Sequence, residues 1–308
     1  MAEKRNHLHH RRDRSKKIFF AIMVALPLFQ FAVMYVGVNA NSFIMAFQHY
    51  ENALSGKGFD ITFAGIDNFK EAWTLLSEKS YMLEISLTGF LVTMFIAYPL
   101  ALLFSFYIYK KYLFSGFFKT VLFLPQIISS LIFSTLFKYM VDTVYTELTG
   151  VTMGLLSNPD TTFGTVLFFN VWVSFGINVL MFSNAMGNID ESVVESAQLD
   201  GVNLIQEFFH ITIPSVWPTV VSCTIITVAG IFTNQMYLYD LFGDGGKFEI
   251  ASIGYFLYQK ASIAEMVKTP TEPSMGILSA LGLIFTIILV PSSMILKKLL
   301  TRLGPSVD

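Results

Sequence analysis

The residues best suited to chemistry in this 308-residue chain are neutral: amides, hydroxyls and phenols set inside long apolar runs. Asn170, Ser174 and Asn178 recur every four residues, a spacing that puts them on one face of a helix. Thr233, Asn234 and Gln235 close another apolar run, with Tyr237 and Tyr239 beyond; Gln126, Ser129 and Ser130 follow Pro125 in a third. Such groups can hydrogen-bond a hydroxylated ligand without the desolvation cost of a charge, and the rings can stack on the apolar face of a sugar. Each alone also serves as interhelical glue, worth about 0.6 kcal/mol. As a set they predict a cavity lining.

Other reactive groups do not assemble into a site. His7, His9 and His10 cluster near the N-terminus without matching ligands elsewhere. Cys223, the one cysteine, lies in an apolar run, where a thiol is an inert packing group and no disulfide can form within the chain. Gly243-Asp-Gly-Gly-Lys247 has a superficial likeness to a phosphate cradle, but the spacing is wrong and no Ser or Thr follows the lysine. If ATP drives this protein, another chain binds it.

The elements that must position these groups are membrane spans. The chain is 54% hydrophobic with a mean hydropathy of +0.58, and only 14% charged, where soluble domains have about 25%. Six segments free of charge are long enough to cross a bilayer: Ile18–Val38, Ile85–Tyr109, Thr120–Phe137, Phe163–Met186, Ser215–Tyr239 and Met275–Leu296. The first is too long and uninterrupted for a signal-peptide core and is read as retained. The expected architecture is an all-α membrane protein: a basic tail over 1–17, a six-span domain over 18–300 and a short tail over 301–308. The absence of Asp, Glu, Lys and Arg from these spans argues against an ion-gradient carrier and against an enzyme that needs a charged acid–base pair.

Lys and Arg counts set the orientation. Lys4, Arg5, Arg11, Arg12, Arg14, Lys16 and Lys17 precede the first span, three lysines lie in 110–119, and Lys297, Lys298 and Arg302 follow the last. Both termini are therefore expected in the cytoplasm. The N-terminal run reads as a topology signal, with contact to lipid headgroups as the alternative.

By parity the 187–214 insert between the fourth and fifth spans is also cytoplasmic, yet it has no Lys or Arg and five acids: Asp190, Glu191, Glu195, Asp200 and Glu207. Ser192-Val-Val-Glu195 fits a capping box, with Asp190 and Glu191 adding favourable charge at the helix start. Gly201 supplies a left-handed stop, and Asn203-Leu-Ile-Gln206 repeats the start signal. Leu204 with Phe208, and Ile205 with Phe209, share a face. Pro214 and Pro218 are expected to bar continuation and mark entry to the next span. The insert predicts a helix–turn–helix elbow on the membrane surface, and its acidity suggests a basic rim on whatever it meets.

Glu195-Ser196-Ala197, three residues, Gly201, nine residues, then Ile211-x-Ile213-Pro214 resembles the Glu-Ala-Ala loop of binding-protein-dependent ABC transporter permeases. Ser196 replaces an Ala of that pattern and Ile213 a Leu, both conservative in size. Phe63-Ala-Gly65-Ile-Asp-Asn68-Phe69 and Phe117-Phe-Lys-Thr-Val-Leu-Phe-Leu-Pro125 are similar to signatures of the sugar-type permeases. The family's Gly-Gly turn is similar at Asp240–Gly246, with Lys247 in place of the usual Pro. Its Asn-Thr pair is Ser86-Leu87 here.

The resemblance implies that Glu195, Ser196, Ala197, Asp200, Gly201, Ile211 and Pro214 dock into a cleft on a separate ATPase subunit. It also implies, by aligned position in the maltose-type permeases, that Gln126, Ser130, Ser174 and Gln235 line the substrate pathway; helical spacing adds Asn178 and Asn234. A non-catalytic permease for a carbohydrate, most simply an oligosaccharide, is implied. Its partners would be a second homologous permease in a heterodimer, an ATPase dimer that binds ATP and Mg, an extracellular or periplasmic solute-binding protein, and membrane lipid, but no nucleic acid. The implied location is the cytoplasmic membrane of a bacterium or archaeon. A membrane scaffold that transports nothing and an ion-driven carrier are the competing readings.

Overall fold

A computed structural model describes residues 2–52, 59–243, 246, 248–263 and 273–304. In chain order the elements are α1 (Lys16–Met45), β1 (Gln48–Asn52), β2 (Phe59–Phe63), α2 (Asp67–Glu78), α3 (Tyr81–Tyr109), α4 (Ser115–Ile127), α5 (Ser130–Thr149), α6 (Pro159–Met186), α7 (Glu191–Leu199), α8 (Leu204–Ala229), α9 (Leu238–Phe242), α10 (Ile253–Ile263) and α11 (Met275–Leu303). Among the described residues α1, α3, α6, α8 and α11 are long and apolar enough to cross a membrane, and the bent pair α4–α5 makes a sixth if taken as one span.

The chain divides into two compact units, residues 1–74 with 264–283, and residues 75–263 with 284–308. In the first, α1 continues a helix that starts at Ala2, and its apolar stretch presents no buried side chain. The expected all-α architecture gives way here to a small antiparallel hairpin, β1 on β2, in the register Gln48↔Phe63. Buried Asn68 holds it: its amide donates to the carbonyls of Ala46 (3.0 Å) and Gln48 (2.9 Å). Gly65, at φ +56, makes the turn that delivers Asn68 to that position.

The second unit is a helical bundle tied by close polar contacts. Ser105 on α3 donates to the Val179 carbonyl of α6 (3.0 Å), and the Tyr98 hydroxyl donates to the Cys223 carbonyl of α8 (3.0 Å). α4 and α6 approach so closely at Gly176 that a Cβ there would sit 1.9 Å from the Leu122 carbonyl oxygen. Phe133, Phe137, Phe169 and Trp172 stack between α5 and α6, and Trp217 on α8 donates to the Leu300 carbonyl of α11 (2.9 Å). Cys223 is buried in a cluster with Tyr98, Val179 and Phe182.

Three sequence expectations change. The third span is not one rod: α4 and α5 meet at 101°. Pro125 removes a backbone donor, and Ile128 and Ser129 leave the helix with ψ 142 and 132. The fifth span ends at Ala229, short of the expected Tyr239: Gly230 caps it, and beyond the cap the Asn234 side chain accepts from the Met236 N–H (2.8 Å) while Met236 and Tyr237 take φ 53 and 58. At its start, Pro214 and Pro218 do not interrupt the helix. A wider π-type turn over Phe208–Thr212 ends at Ile213, whose N–H bonds the Phe208 carbonyl, so Pro214 enters the following α-helix at its first turn, where no N–H is needed.

Candidate substrate cavity and elbow

A cavity of about 460 Å³ opens in the second unit between α3, α6, α8 and the residues after α8. Asn170, Ser174 and Asn178 line it from α6, and Asn234 and Gln235 from the irregular backbone beyond Ala229. Asn170 and Asn178 are 4% and 8% exposed, so their amides face the cavity rather than open solvent. Ser174 is anchored to the Asn170 carbonyl (2.8 Å). Non-helical backbone at membrane depth is tolerated where it is buried in protein or lines a cavity; the 230–237 stretch does the latter. Gln126 and Ser130 lie outside the lining. The Gln126 amide donates to the Val173 carbonyl, and the Ser130 carbonyl accepts from Ser134 (2.7 Å). Both flank the α4–α5 bend.

Sequence reasoning missed Ser86, Thr93 and Tyr98 on α3, Thr227 on α8, and Asp240. Ser86, Gly89 and Thr93 follow a 3-then-4 spacing of small residues that marks one helix face, a signal available in the sequence. Ser86 accepts from the Ile253 N–H (3.0 Å), a contact between residues 167 apart that no local pattern reveals. Asp240 brings the one carboxylate to the lining, and no Lys, Arg or His is among the described lining residues.

The elbow lies in the same unit. α7 starts two residues earlier than the expected box: Asp190, not Ser192, is the N-cap, accepting from the Ser192 N–H (3.0 Å) and hydroxyl (2.9 Å). These bonds hold the Asp190 carboxyl below its ordinary range, and a carboxylate complements the helix N-terminus better than a hydroxyl. Gly201, at φ +79, closes α7 as expected, with its N–H on the Gln198 carbonyl and that of Val202 on Ala197, both 3.1 Å. Asn203 and Gln206 form the reciprocal box that starts α8 (3.0 and 2.9 Å). α8 then runs on unbroken to Ala229, so the elbow's second arm and the fifth span are one helix.

Glu195, Ser196, Asp200 and Gly201 are exposed, while Ala197, Ile211 and Pro214 are half-buried. Of the expected apolar face only Phe208 turns inward, at 6% exposure. Leu204, Ile205 and Phe209 point outward with Val193 and Leu199. Part of the insert's acidity is met within the chain. Glu207 pairs with Lys110, and Glu191 and Glu195 share a cavity of about 850 Å³ with Lys110, Lys111 and Lys119.

Of the other features noted in the sequence, the side chains of His7, His9 and His10, residues 305–308 and most of Gly243–Lys247 lie outside the described residues.

Long apolar helices around a polar, largely neutral cavity mark a multi-span membrane protein. The chain belongs to the family of binding-protein-dependent transport system inner membrane components, whose model matches residues 1–308. It is 25% identical over 298 residues to the arabinooligosaccharides transport system permease protein AraP of Bacillus subtilis (strain 168), covering 92% of this chain and 89% of that protein. Its fold matches a bacterial ABC transporter involved in the import of the acidic polysaccharide alginate, with a TM-score of 0.74, 17% identity and coverage of 96% of this chain and 99% of that one. A second structure, the bacterial alginate ABC transporter in complex with alginate pentasaccharide-bound periplasmic protein, matches with a TM-score of 0.68 at 19% identity, over 94% and 95% of the two chains.

Proposed function

We propose that this chain is a permease subunit of an ATP-driven importer and forms half of a translocation pathway for a neutral oligosaccharide. The observation that carries the reading is the cavity: amides and hydroxyls from α3, α6 and the 230–237 turn converge on it with one carboxylate and no cation among the described lining residues. That set matches a ligand rich in hydroxyls and free of negative charge. The related AraP is named for arabinooligosaccharides, which supports the carbohydrate class.

Membership in a transport family favours this over a scaffold or a gradient-driven carrier. A second permease chain would complete the passage. A solute-binding protein would deliver substrate to the outer face, as the alginate complex with its periplasmic protein suggests by analogy. Both termini and the elbow would lie in the cytoplasm, where an ATPase dimer would hold ATP and Mg. The elbow's outward Val193, Leu199, Leu204, Ile205 and Phe209, beside the exposed Glu195–Gly201 stretch, would dock on that subunit; exposed apolar clusters of this kind mark protein contacts.

Affinity purification of the tagged chain from its native membrane tests the reading. A nucleotide-binding subunit and a second permease should co-purify, and loaded binding protein should raise ATP hydrolysis. Recovery of the chain alone, with no ATPase activity, would refute it.

A further inference from the structure

Among the described residues one buried ion pair joins the elbow to the bundle, and the transport reading leaves it without a role. Lys110 ends α3, and Glu207 sits in the first turn of α8. Their side chains are 14% and 3% exposed. The Lys110 ammonium also lies 5.6 Å from the centre of the Phe106 ring and 5.5 Å from that of Tyr109, and Phe106 packs on Phe208 at 5.1 Å. By contrast, the Lys70–Asp67 pair is 66% and 72% exposed and joins residues three apart on one helix. An exposed pair of that kind contributes little. A buried pair is a poor device for stability too, since well-packed apolar residues of the same volume serve as well or better; its best-attested use is to fix register between elements.

The register fixed here is that of the elbow against a wall of the cavity. α8 continues without a break from the Asn203 cap to Ala229, so any displacement of the elbow reaches the fifth span through its own backbone. α3 has no such continuity with the elbow. It carries Ser86, Thr93 and Tyr98 of the lining at one end and Lys110 at the other. Tyr98 bonds α8 at Cys223 further along the bundle, and at the elbow two aligned interactions, the Lys110–Glu207 pair and the Phe106–Phe208 contact, join the end of α3 to α8 within a single turn of each helix.

We infer that Lys110 and Glu207 are positioning residues of transport: their pair makes α3 follow the elbow, so that both walls of the cavity move together when ATP is spent. The inference rests on the reading of the elbow as the ATPase dock. The pair holds two charges of opposite sign in a site shielded from water, so it resists shear along α3 and α8 where an apolar contact would slide. Loss of either charge would leave the elbow docked and α8 driven, while α3 lags. ATP would then be hydrolysed with less substrate moved.

The test uses the assembled transporter, with its second permease, ATPase and binding protein, reconstituted in liposomes. Substrate imported per ATP hydrolysed is measured for wild type, Lys110→Met, Glu207→Gln and the charge-swapped double variant Lys110→Glu/Glu207→Lys. We expect each single variant to retain its ATPase subunit and lose at least fivefold in the ratio, and the swap to return to within twofold of wild type. A merely structural role would lower assembly and leave the ratio of what assembles unchanged. Single variants within twofold of wild type would overturn the inference, as would a swap that fails to assemble or does no better than the singles. If the single variants do not assemble, the swap alone decides. A wild-type complex that carries no ATPase subunit would instead refute the docking of the elbow.

Discussion

The elbow and the cavity are built by opposite means. The elbow is local: Asp190, Gly201 and the Asn203–Gln206 pair cap two helix ends and a turn using bonds that reach at most five residues along the chain. The cavity is assembled at long range from α3, α6 and α8, and it is completed by a stretch where helix is abandoned. A part that must present one shape to a partner can be specified by adjacent residues. A part that must open and close around a solute draws on several helices whose separation can change. If that division is right, changes in one region should leave the other's function intact.

The largest expected effect is at the elbow's turn. A Cβ at Gly201 meets nothing within 4 Å, so Gly201→Val acts through the left-handed backbone alone. That conformation costs an L-residue about 1–2 kcal/mol, or roughly tenfold in an equilibrium. Recovery of the ATPase subunit with the complex should fall by about that factor, while binding of substrate to the detergent-solubilised permease pair stays constant. A loss of substrate binding of similar size would break the division.

Next is the opposite case. Asn178→Leu removes an amide from the cavity wall, and one lost hydrogen bond of about 1 kcal/mol is roughly fivefold. Oligosaccharide uptake should drop by that amount with ATPase recovery unchanged, as quantified by immunoblot of the purified complex.

Asp240→Asn should act on selectivity more than on rate. Two unit charges 4 Å apart in water interact by about 1 kcal/mol, which bounds the penalty on an anionic sugar to a few-fold. Competition by uronic oligosaccharides for binding to the permease pair should strengthen by about threefold in the variant, with neutral sugars little affected. Unchanged competition would mean that the carboxylate does not face the ligand.

The smallest effect is at Asp190, whose carboxyl is fully exposed and whose folded pKa is lowered by the Ser192 N–H and hydroxyl. A group with a depressed folded pKa contributes its stabilisation above its unfolded pKa and loses it as pH falls through the folded value. Thermal midpoints of wild type and Asp190→Asn should therefore differ slightly at neutral pH and converge under acid.

The same division explains what the sequence made legible. Gly201 and the Asn203–Gln206 box could be read at once, because cap chemistry depends on neighbours in the chain. Even there Ser192 and Asp190 both fit the cap by residue type, and only the backbone angles of 190 decide for Asp190. Asn170, Ser174 and Asn178 could be read from helical spacing. Gln126 and Ser130 rest on aligned position rather than on spacing, and both flank the 101° bend after Pro125. The end of the fifth span at Ala229 was hidden because the stretch to Tyr239 carries no charge: Gly230 caps the helix, and the Asn234 side chain beyond it bonds the chain. Pro214 misled in the other direction, because a wider turn ahead of it absorbs its missing donor. The partner of Glu207 lies 97 positions earlier, at Lys110, a pairing that no local pattern reveals.

The most direct test of the account is uptake by proteoliposomes that contain this chain, its second permease and the ATPase. Labelled neutral oligosaccharide should enter only when ATP is present on the elbow side and loaded binding protein on the other, and Gly201→Val should abolish most of that uptake. Uptake that proceeds without ATP, or that follows an imposed ion gradient, would contradict it.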